Sequence, residues 1–600
     1  MGPELLYKFR FLSGLTEGPS GPFLLVTAIE GKDPPKYQTR LATFERGRVR
    51  YLTRGEARNP IWKGDFIYFL RKEGEVPQVF RLPLKGGEPE SVTEAKNGVL
   101  GFAVDARGRV LYWAPKERPK PGLPRVFEAW PFKFDGRGLL NESPVEVFLG
   151  KKKLFSRFPP VEEAVFGEDG ALYFLAAKDA RARANWQGTL WKYEAGELKE
   201  LYSPGGMLHS LAAGPGGLAL VHFPVEEGGL FSEVVYLPYG GEPQVVFSGH
   251  LGNSVNSDLR YGAYRQGPAF DDLGALLFIA TERGRGVLYR AEEGKKPEPI
   301  ETEKSVVAFA HGGEVLLVED FDHGPRLVWK GREVYDPNTR LKVRFNRPEA
   351  LAYRAPEGHE VPGWLLLPEG EGPHPVILYI HGGPHTAFGE APMFELQLFA
   401  ASGYAVLFGN PRGSTGYGEA FARLKGRWGE VDEADLLGLL GEALKRFPLN
   451  ASRVGVAGGS YGGYMTNWLT GRHPERFKAA VTDRSISNWF SFFGASDIGP
   501  PFARMQLFAD PWKNPEVLWE KSPLKYAHRV KAPTLVVHAE QDHRCPIDQG
   551  ETWYTALFDR GVKTRFFRVP EEGHELSRSG RPDRRVARLK AYLDWWKETL

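Results

Sequence analysis

The amino-acid sequence predicts an all-β seven-bladed propeller over residues 1–335, followed by a mostly parallel, doubly wound α/β domain over residues 336–600. Three observations carry this. Short apolar runs recur through the first half at intervals of roughly 40 to 60 residues, the period of a multi-stranded repeat that cannot bury both faces alone. A turn phrase repeats with them. After Val334-Tyr335-Asp336-Pro337-Asn338 the texture changes to strands alternating with helices, the pattern of a sheet covered on both faces.

The apolar runs are Phe23 to Ile29, Phe66 to Lys72, Leu111 to Lys116, Leu172 to Ala177, Leu218 to Phe223, Leu276 to Thr281 and Glu314 to Asp320. Most follow a Gly or Asp turn and precede a second strand that ends in Gly-Glu-Pro. Val79-Phe80-Arg81-Leu82-Pro83-Leu84-Lys85-Gly86-Gly87-Glu88-Pro89 and Val234-Val235-Tyr236-Leu237-Pro238-Tyr239-Gly240-Gly241-Glu242-Pro243 are the same piece of a repeat. Seven runs predict seven blades; a pair of β-sandwiches would need no fixed internal period. The wider intervals at Glu117 to Leu140 and His250 to Phe270 read as blade insertions, open to covering a site or an oligomer contact.

In the second half, strands are expected at Val361–Leu367, Pro375–Ile380, Tyr404–Gly409, Arg453–Ala457, Phe477–Thr482, Pro533–Ala539 and Thr564–Val569. Helices are expected at Glu430–Phe447 and Arg584–Thr599, the latter with Val586, Leu589, Leu593 and Trp596 on one face. The strand Arg453–Ala457 runs into Gly458-Gly459-Ser460-Tyr461-Gly462-Gly463 and then a helical stretch. A strand, a G-x-S-x-G turn and a helix make a nucleophile elbow, the mark of an α/β-hydrolase domain. Ser460 is the candidate nucleophile.

That fold carries its triad in the order Ser, Asp or Glu, His. Asp542 follows one later strand in Glu540-Gln541-Asp542-His543-Arg544, and His574 follows the next in Glu571-Glu572-Gly573-His574. A hydroxyl needs a base to take its proton, and the base needs an acceptor to hold its tautomer. Ser460, Asp542 and His574 fill these roles together, with His473, His543 and Asp548 as rivals. For the oxyanion hole, Tyr461 supplies the N–H after the nucleophile. Gly383 supplies the second, from His381-Gly382-Gly383-Pro384 behind an early strand, with Gly382 as its alternative. Asn410 to Gly418 is expected to shape the rim.

Composition narrows the function classes. Lys and Arg total 78 against 75 Asp and Glu, a formal charge of +3, which leaves no electrostatic footprint for nucleic acid or a membrane surface. The start of the chain has no basic segment followed by an apolar core, and the apolar runs fall far below a membrane span, so a soluble, cytoplasmic protein is expected. The single cysteine, Cys545, rules out an intrachain disulfide and a cysteine metal cluster. Neither metal nor organic cofactor is expected.

Taken in order, H-G-G-P (381–384), N-P-R-G-S-T-G-Y-G (410–418), G-G-S-Y-G-G-Y (458–464), S-D-I-G (496–499), D-H-R-C-P (542–546) and E-G-H-E (572–575), behind a propeller, resemble the prolyl oligopeptidase family of serine peptidases. Ser485-Ile486-Ser487-Asn488-Trp489 through Gly499 resembles its acylaminoacyl-peptidase-like branch. The motifs cover about residues 360 to 580; the propeller agrees in kind rather than in letters. The resemblance implies the same triad, hydrolysis of short peptides, and a propeller lying over the catalytic face. Cys545 departs from the family's commoner Val or other apolar residue, a change small and apolar enough to leave the triad credible.

Within this resemblance the peptide end that is read stays open. An acylaminoacyl-peptidase-like exopeptidase or oligopeptidase would use an apolar pocket, for which Trp489, Phe490, Phe492 and Phe493 are candidates. A carboxypeptidase would grip a C-terminal carboxylate with Arg484, Arg412 or Arg544 as a bidentate pair. A carboxylesterase would use the same acyl chemistry. A dipeptidyl aminopeptidase is disfavoured, because the adjacent acids Glu162-Glu163 and Glu226-Glu227 read as solvated blade-loop residues rather than an amine-binding pair. A propeller scaffold without catalysis would not need an intact triad. Short peptides are the expected partners, with a homo-oligomer left open.

Overall fold

The computed structural model describes residues 1–225 and 231–600; Glu226 and Glu227 lie outside the described residues. The first part consists of seven four-stranded antiparallel sheets, with blades at Arg10–Tyr51, Arg58–Ser91, Gly101–Arg157, Glu163–Tyr202, Met207–Gly249, Ala269–Glu301 and Ser305–Tyr335. Each apolar run of the sequence is the second strand of its blade. Such a strand has a neighbouring blade on both faces, which is why it is apolar throughout instead of alternating. The two Gly-Glu-Pro phrases each end a third strand.

One buried apolar cluster fills each gap between neighbouring blades, as with Leu25, Leu41, Ile67, Phe69 and Phe80 between the first and second. The last gap closes the ring. There Leu12, Leu24 and Val26 of the first blade pack on Val307, Val315 and Leu317 of the seventh, with no strand shared between them. Side-chain packing, with the Gly18 N–H donating to His311 Nε2 at 3.2 Å, holds the ring shut. A cavity of about 1510 Å³ runs through its middle, lined by the first strands of the first six blades and reaching Ser579 of the second domain.

The second domain is an eight-stranded sheet. Its strands are β1 (Glu349–Arg354), β2 (Glu360–Leu366), β3 (His374–Ile380), β4 (Ala405–Gly409), β5 (Leu449–Gly459), β6 (Ala479–Asp483), β7 (Thr534–Ala539) and β8 (Thr564–Val569). They lie in the order β1-β2-β4-β3-β5-β6-β7-β8, antiparallel at the first two pairings and parallel from β4 onward. The edge strand β1 was not apparent from the sequence, being only partly apolar. Period-two alternation divides the central strands. Val376, Leu378, Val454 and Val456 face one apolar layer with α2 (Val431–Arg446) and α3 (Tyr461–Arg472). Ile377, Tyr379 and Ala457 face the other, with α1 (Phe394–Ala401) and the C-terminal helix α5 (Pro582–Thr599).

Residues Pro3–Lys8 were expected with the propeller, but they pack on the hydrolase. Leu6 and Phe9 share a cluster with Val586 and Leu589 of α5, the apolar face that the sequence assigned to that helix. The wide interval between His250 and Phe270 is the main strap between the domains. Asp258 accepts the N–H groups of Phe394 (2.6 Å) and Glu395 (2.9 Å), capping α1 from the propeller side. Ser254 bonds Thr415 at 2.6 Å, and Asn256 bonds Ala387. Among the described residues no helix is long and apolar enough to cross a membrane.

Beneath the sheet, Arg588 of α5 is buried between two carboxylates. Its Nε donates to Asp483 (2.7 Å) and its Nη1 to Glu395 (2.6 Å), while Tyr379 also donates to Glu395 (2.8 Å). Removing one member of a buried ionic cluster leaves the remaining charges uncompensated. Arg588→Ala is therefore expected to destabilise the α/β domain by about 3 to 5 kcal/mol, read from the denaturant midpoint at unchanged slope; a loss below 1 kcal/mol would contradict this ledger of charges.

Candidate active site

Ser460 sits between β5 and α3 with φ 59° and ψ −119°, a strained conformation for a residue with a side chain. The flanking glycines explain how the turn fits. A Cβ on Gly458 would lie 2.5 Å from the Ile380 carbonyl oxygen, one on Gly462 only 2.1 Å from it, and one on Gly463 2.7 Å from the Asp483 oxygen. The Ser460 N–H donates to that same Asp483 oxygen at 3.0 Å. The elbow is wedged between the ends of β3 and β6, and only glycine leaves room for it.

The loop after β7 supplies Asp542, buried at 2% exposure. Its Oδ1 accepts the N–H groups of Arg544 (3.0 Å) and Cys545 (2.8 Å), and its Oδ2 lies 2.7 Å from Nδ1 of His574, on the loop after β8. Two backbone donors and one imidazole donor converge on the carboxylate, which fixes the ring so that Nε2 is the free nitrogen. Burial raises the Asp542 carboxyl, and burial with the nearby Arg484 lowers the His574 imidazole.

The Ser460 hydroxyl lies 3.9 Å from Cys545 Sγ, and among the described residues it makes no hydrogen bond to His574. Contacts between nucleophile and base commonly tighten only when substrate binds. The Cys545 thiol is itself buried, and burial raises it well above its ordinary value, so it is held as a protonated, small apolar filler beside the serine.

The rival residues lie elsewhere. His473 ends α3 and pairs with Glu433 at 2.8 Å, a full helix length from Ser460. Asp548 contacts Gln549, and His543, next to Asp542 on the same loop, donates its backbone N–H to Asp135 of the propeller at 3.0 Å.

The oxyanion donors are arranged by the same logic. Tyr461 opens α3, so its N–H has no partner inside the helix; its ring is buried and its hydroxyl donates to Asp432 of α2 at 2.6 Å. Gly382 lies against the nucleophile, since a Cβ on it would be 3.6 Å from Ser460 Cβ. Its carbonyl is held by His381 Nδ1 (2.6 Å) and Thr386 Oγ1 (2.7 Å). Because the peptide is planar and trans, holding that oxygen sets the opposite direction of the Gly383 N–H. Burial lowers His381 to about 4, so the ring beside the hole is neutral. His381 and Thr386 escaped the sequence reading, although His381 stands inside the H-G-G-P motif.

The arginines and aromatics proposed to bind substrate are placed otherwise. Arg484 is buried and donates to Ser577 at 2.9 Å; Arg412 is buried against Asp435 at 2.9 and 2.7 Å. Arg544 donates to Asp497 at 2.8 and 3.3 Å. Arg412 and Arg544 are held by carboxylates, while Arg484 is buried with its Nε unpartnered, so none of the three is an exposed fork. Trp489 is fully buried among Trp428, Tyr464, Phe492 and Phe502, a core position rather than a pocket wall. Phe493 is also buried, against Trp512 and Arg504.

With this geometry described, likeness to known proteins becomes informative. Residues 391–600 match the model of the prolyl oligopeptidase family. Over that stretch the chain is similar to the family. An uncharacterized peptidase, YuxL, of Bacillus subtilis is 40% identical over 375 residues, which span 58% of this chain and 56% of that one. The acylamino-acid-releasing enzyme of Rattus norvegicus is 35% identical over 275 residues, 44% of this chain and 36% of the rat enzyme. The aligned stretches thus span about half or less of these relatives. An acylaminoacyl peptidase solved in complex with Z-Gly-Gly-Phe-chloromethyl ketone superposes with a TM-score of 0.89 at 25% identity, over 100% of this chain and 97% of that one. The likeness in fold therefore extends over both domains.

For a reaction that needs neutral His574 as base, protonating the ring stops turnover. The lowering of His574 by burial and Arg484 then moves the acid limb down: kcat/KM is expected to rise with pH and level off with a midpoint below about 6.5, the unperturbed imidazole value. A pH–rate profile checks this, and a midpoint above 7 would contradict it.

Proposed function

We propose that the chain is a serine peptidase that cleaves short peptides, with the acylaminoacyl-peptidase mode of reading a blocked N-terminus. The observation that carries the reading is the convergence of Ser460, the Asp542–His574 pair and two N–H groups at one elbow beneath the propeller. In the mechanism we infer, His574 Nε2 takes the proton of Ser460 Oγ as the oxygen attacks the scissile carbonyl. The N–H groups of Tyr461 and Gly383 receive the developing oxyanion. Asp542 holds the ring and stabilises the imidazolium, which then protonates the leaving amine. Water reverses the sequence to free the acyl group. The residues provide everything this chemistry requires without a cofactor.

Two observations favour an N-blocked substrate. An amine-reading enzyme would use an adjacent pair of acids, yet in Glu162-Glu163 both oxygens of Glu163 are occupied by the N–H groups of Ser210 and Leu211, each at 2.8 Å. A carboxylate-reading enzyme needs an accessible arginine; Arg412 and Arg544 are paired with Asp435 and Asp497, and Arg484 is buried. An acylated N-terminus brings no charge and asks for neither. The enclosed setting supports short chains: the catalytic loops lie under the propeller, whose cavity is lined by packed strands. A cytoplasmic setting fits the single, buried thiol.

The test compares N-acylated, N-free and C-amidated versions of one short peptide, together with a folded globular protein. N-acylated and C-amidated peptides with blocked N-termini are expected to be cleaved, N-free peptides more slowly, and the folded protein left intact. Ser460→Ala and His574→Ala should each lower kcat by about 10⁵- to 10⁶-fold, and Asp542→Asn by about 10⁴-fold through the wrong tautomer. Turnover retained in Ser460→Ala, or preference for a free N-terminus, would overturn the mechanism or the specificity respectively.

A further inference from the structure

The catalytic loops do not stand alone. Between the second and third strands of the third blade, the chain leaves the sheet and forms a small antiparallel hairpin, Lys133–Phe134 paired with Gly138–Leu139. This is the insertion that the wide interval Glu117 to Leu140 announced. At its tip, Asp135 reaches the hydrolase. One carboxylate oxygen accepts the N–H of His543 and the N–H of His574, both at 3.0 Å, and the second oxygen lies 3.2 Å from the His574 N–H.

We infer that Asp135 is a positioning residue for the hydrolase reaction, clamping from the propeller the two loops that carry Asp542 and His574, so that the triad is aligned only while the domains are docked. The inference rests on the function proposed above and deepens it.

Four features of the contact support this role. The residues that Asp135 holds are His574 itself and the immediate neighbour of Asp542, on loops after different strands. One shared acceptor therefore fixes the distance between them. The Asp135 N–H in turn donates to Asp497 (2.8 Å), whose carboxylate binds Arg544, and the Arg544 guanidinium lies 5.2 Å from the ring centre of Phe134. The hairpin thus grips the Asp542 loop by backbone, charge and ring together. On the other loop Gly573 makes the approach feasible, because a Cβ there would lie 3.0 and 3.3 Å from the two Asp135 oxygens. Finally, the acceptor is charged and partly desolvated, where hydrogen bonds from N–H to carboxylate are stronger than neutral ones. Burial and the Asp542 charge raise the Asp135 carboxyl, while the His574 and His543 N–H groups favour its ionised form. The charged and titratable groups facing it are Asp542, His543, His574, Arg544, Asp497 and Lys133.

The experiment uses the full-length chain with Asp135→Ala, Asp135→Asn and, from the opposite side, Gly573→Ala. Each is assayed for kcat and KM on a small activated acyl ester and on a short N-acylated peptide, and for its thermal midpoint. A loosened triad costs rate without costing affinity: Asp135→Ala is expected to lower kcat about 10- to 100-fold on both substrates, with KM within about twofold and the thermal midpoint unchanged. Asp135→Asn keeps one acceptor oxygen and should recover part of the loss. Gly573→Ala should fall in the same direction, and its combination with Asp135→Ala should cost no more than the larger single loss.

An Asp135→Ala enzyme with unchanged kcat, a loss confined to KM for the peptide, or a loss matched by a lowered thermal midpoint would each overturn the inference. If wild-type turnover survives Ser460→Ala, the hydrolase reading fails instead, so the two failures are distinguishable.

Discussion

The rest of the structure is arranged around a steric constraint at one turn. Ser460 is held at positive φ because its N–H is tied to Asp483 and because Gly458 and Gly462 carry no side chain to push the turn away from β3. A strained residue persists only where its surroundings over-determine it. Here they do so on three sides. α3 behind the serine is buried almost all round, as a helix at the centre of two layers must be. Asp483 beside it is pinned by Arg588, and the His381-Gly382-Gly383 turn leans on its front. The same buttresses that impose the strain also flank the N–H groups of Tyr461 and Gly383, so in the proposed mechanism holding the nucleophile and forming the oxyanion hole are one structural act.

The propeller completes this arrangement rather than merely shading it. It enters the hydrolase at two insertions, and each supplies a buried or half-buried aspartate that accepts backbone N–H groups. Asp258 caps α1 beneath the sheet, and burial raises its carboxyl to about 6; Asp135 gathers the two loops that bear the base and its orienting acid. Both replace hydrogen bonds that loop or helix-end amides would otherwise make to water. Domain docking and site assembly are thereby coupled through specific acceptors, and a peptide gate that opens by separating the domains would also relax the triad.

Much of this was legible in the letters. The second strands of all seven blades stand out because they are apolar on both faces, and the elbow because glycine is required at several close positions. Asp542 and His574 could be placed because each follows a buried strand in the order the fold requires. What stayed hidden depends on long-range contact. Phe134-Asp135-Gly136 reads as an ordinary turn, and nothing local says that it meets His574 more than four hundred residues later. Arg484 and Arg544 follow strand ends near the site and so looked available, yet their partners, Ser577 and Asp497, lie far along the chain. Trp489 and Phe493 are of types that suit a pocket or a core equally, and only their ring contacts, Trp489 edge-on to Trp428 and Phe493 to Trp512, show which it is. The first six residues resemble the start of a propeller until their apolar side chains are seen to seat on the last helix.

The most direct measurement of the central claim is to locate the covalent adduct after the full-length chain reacts with a fluorophosphonate. Two potential nucleophiles, Ser460 Oγ and Cys545 Sγ, lie 3.9 Å apart, and the account makes one activated by its turn, its base and its oxyanion hole while the other is held as a buried thiol. Mass mapping of the digested adduct should find a single modification, on the peptide containing Ser460. Modification of Cys545, of a serine outside the elbow, or of no residue at all would contradict the account.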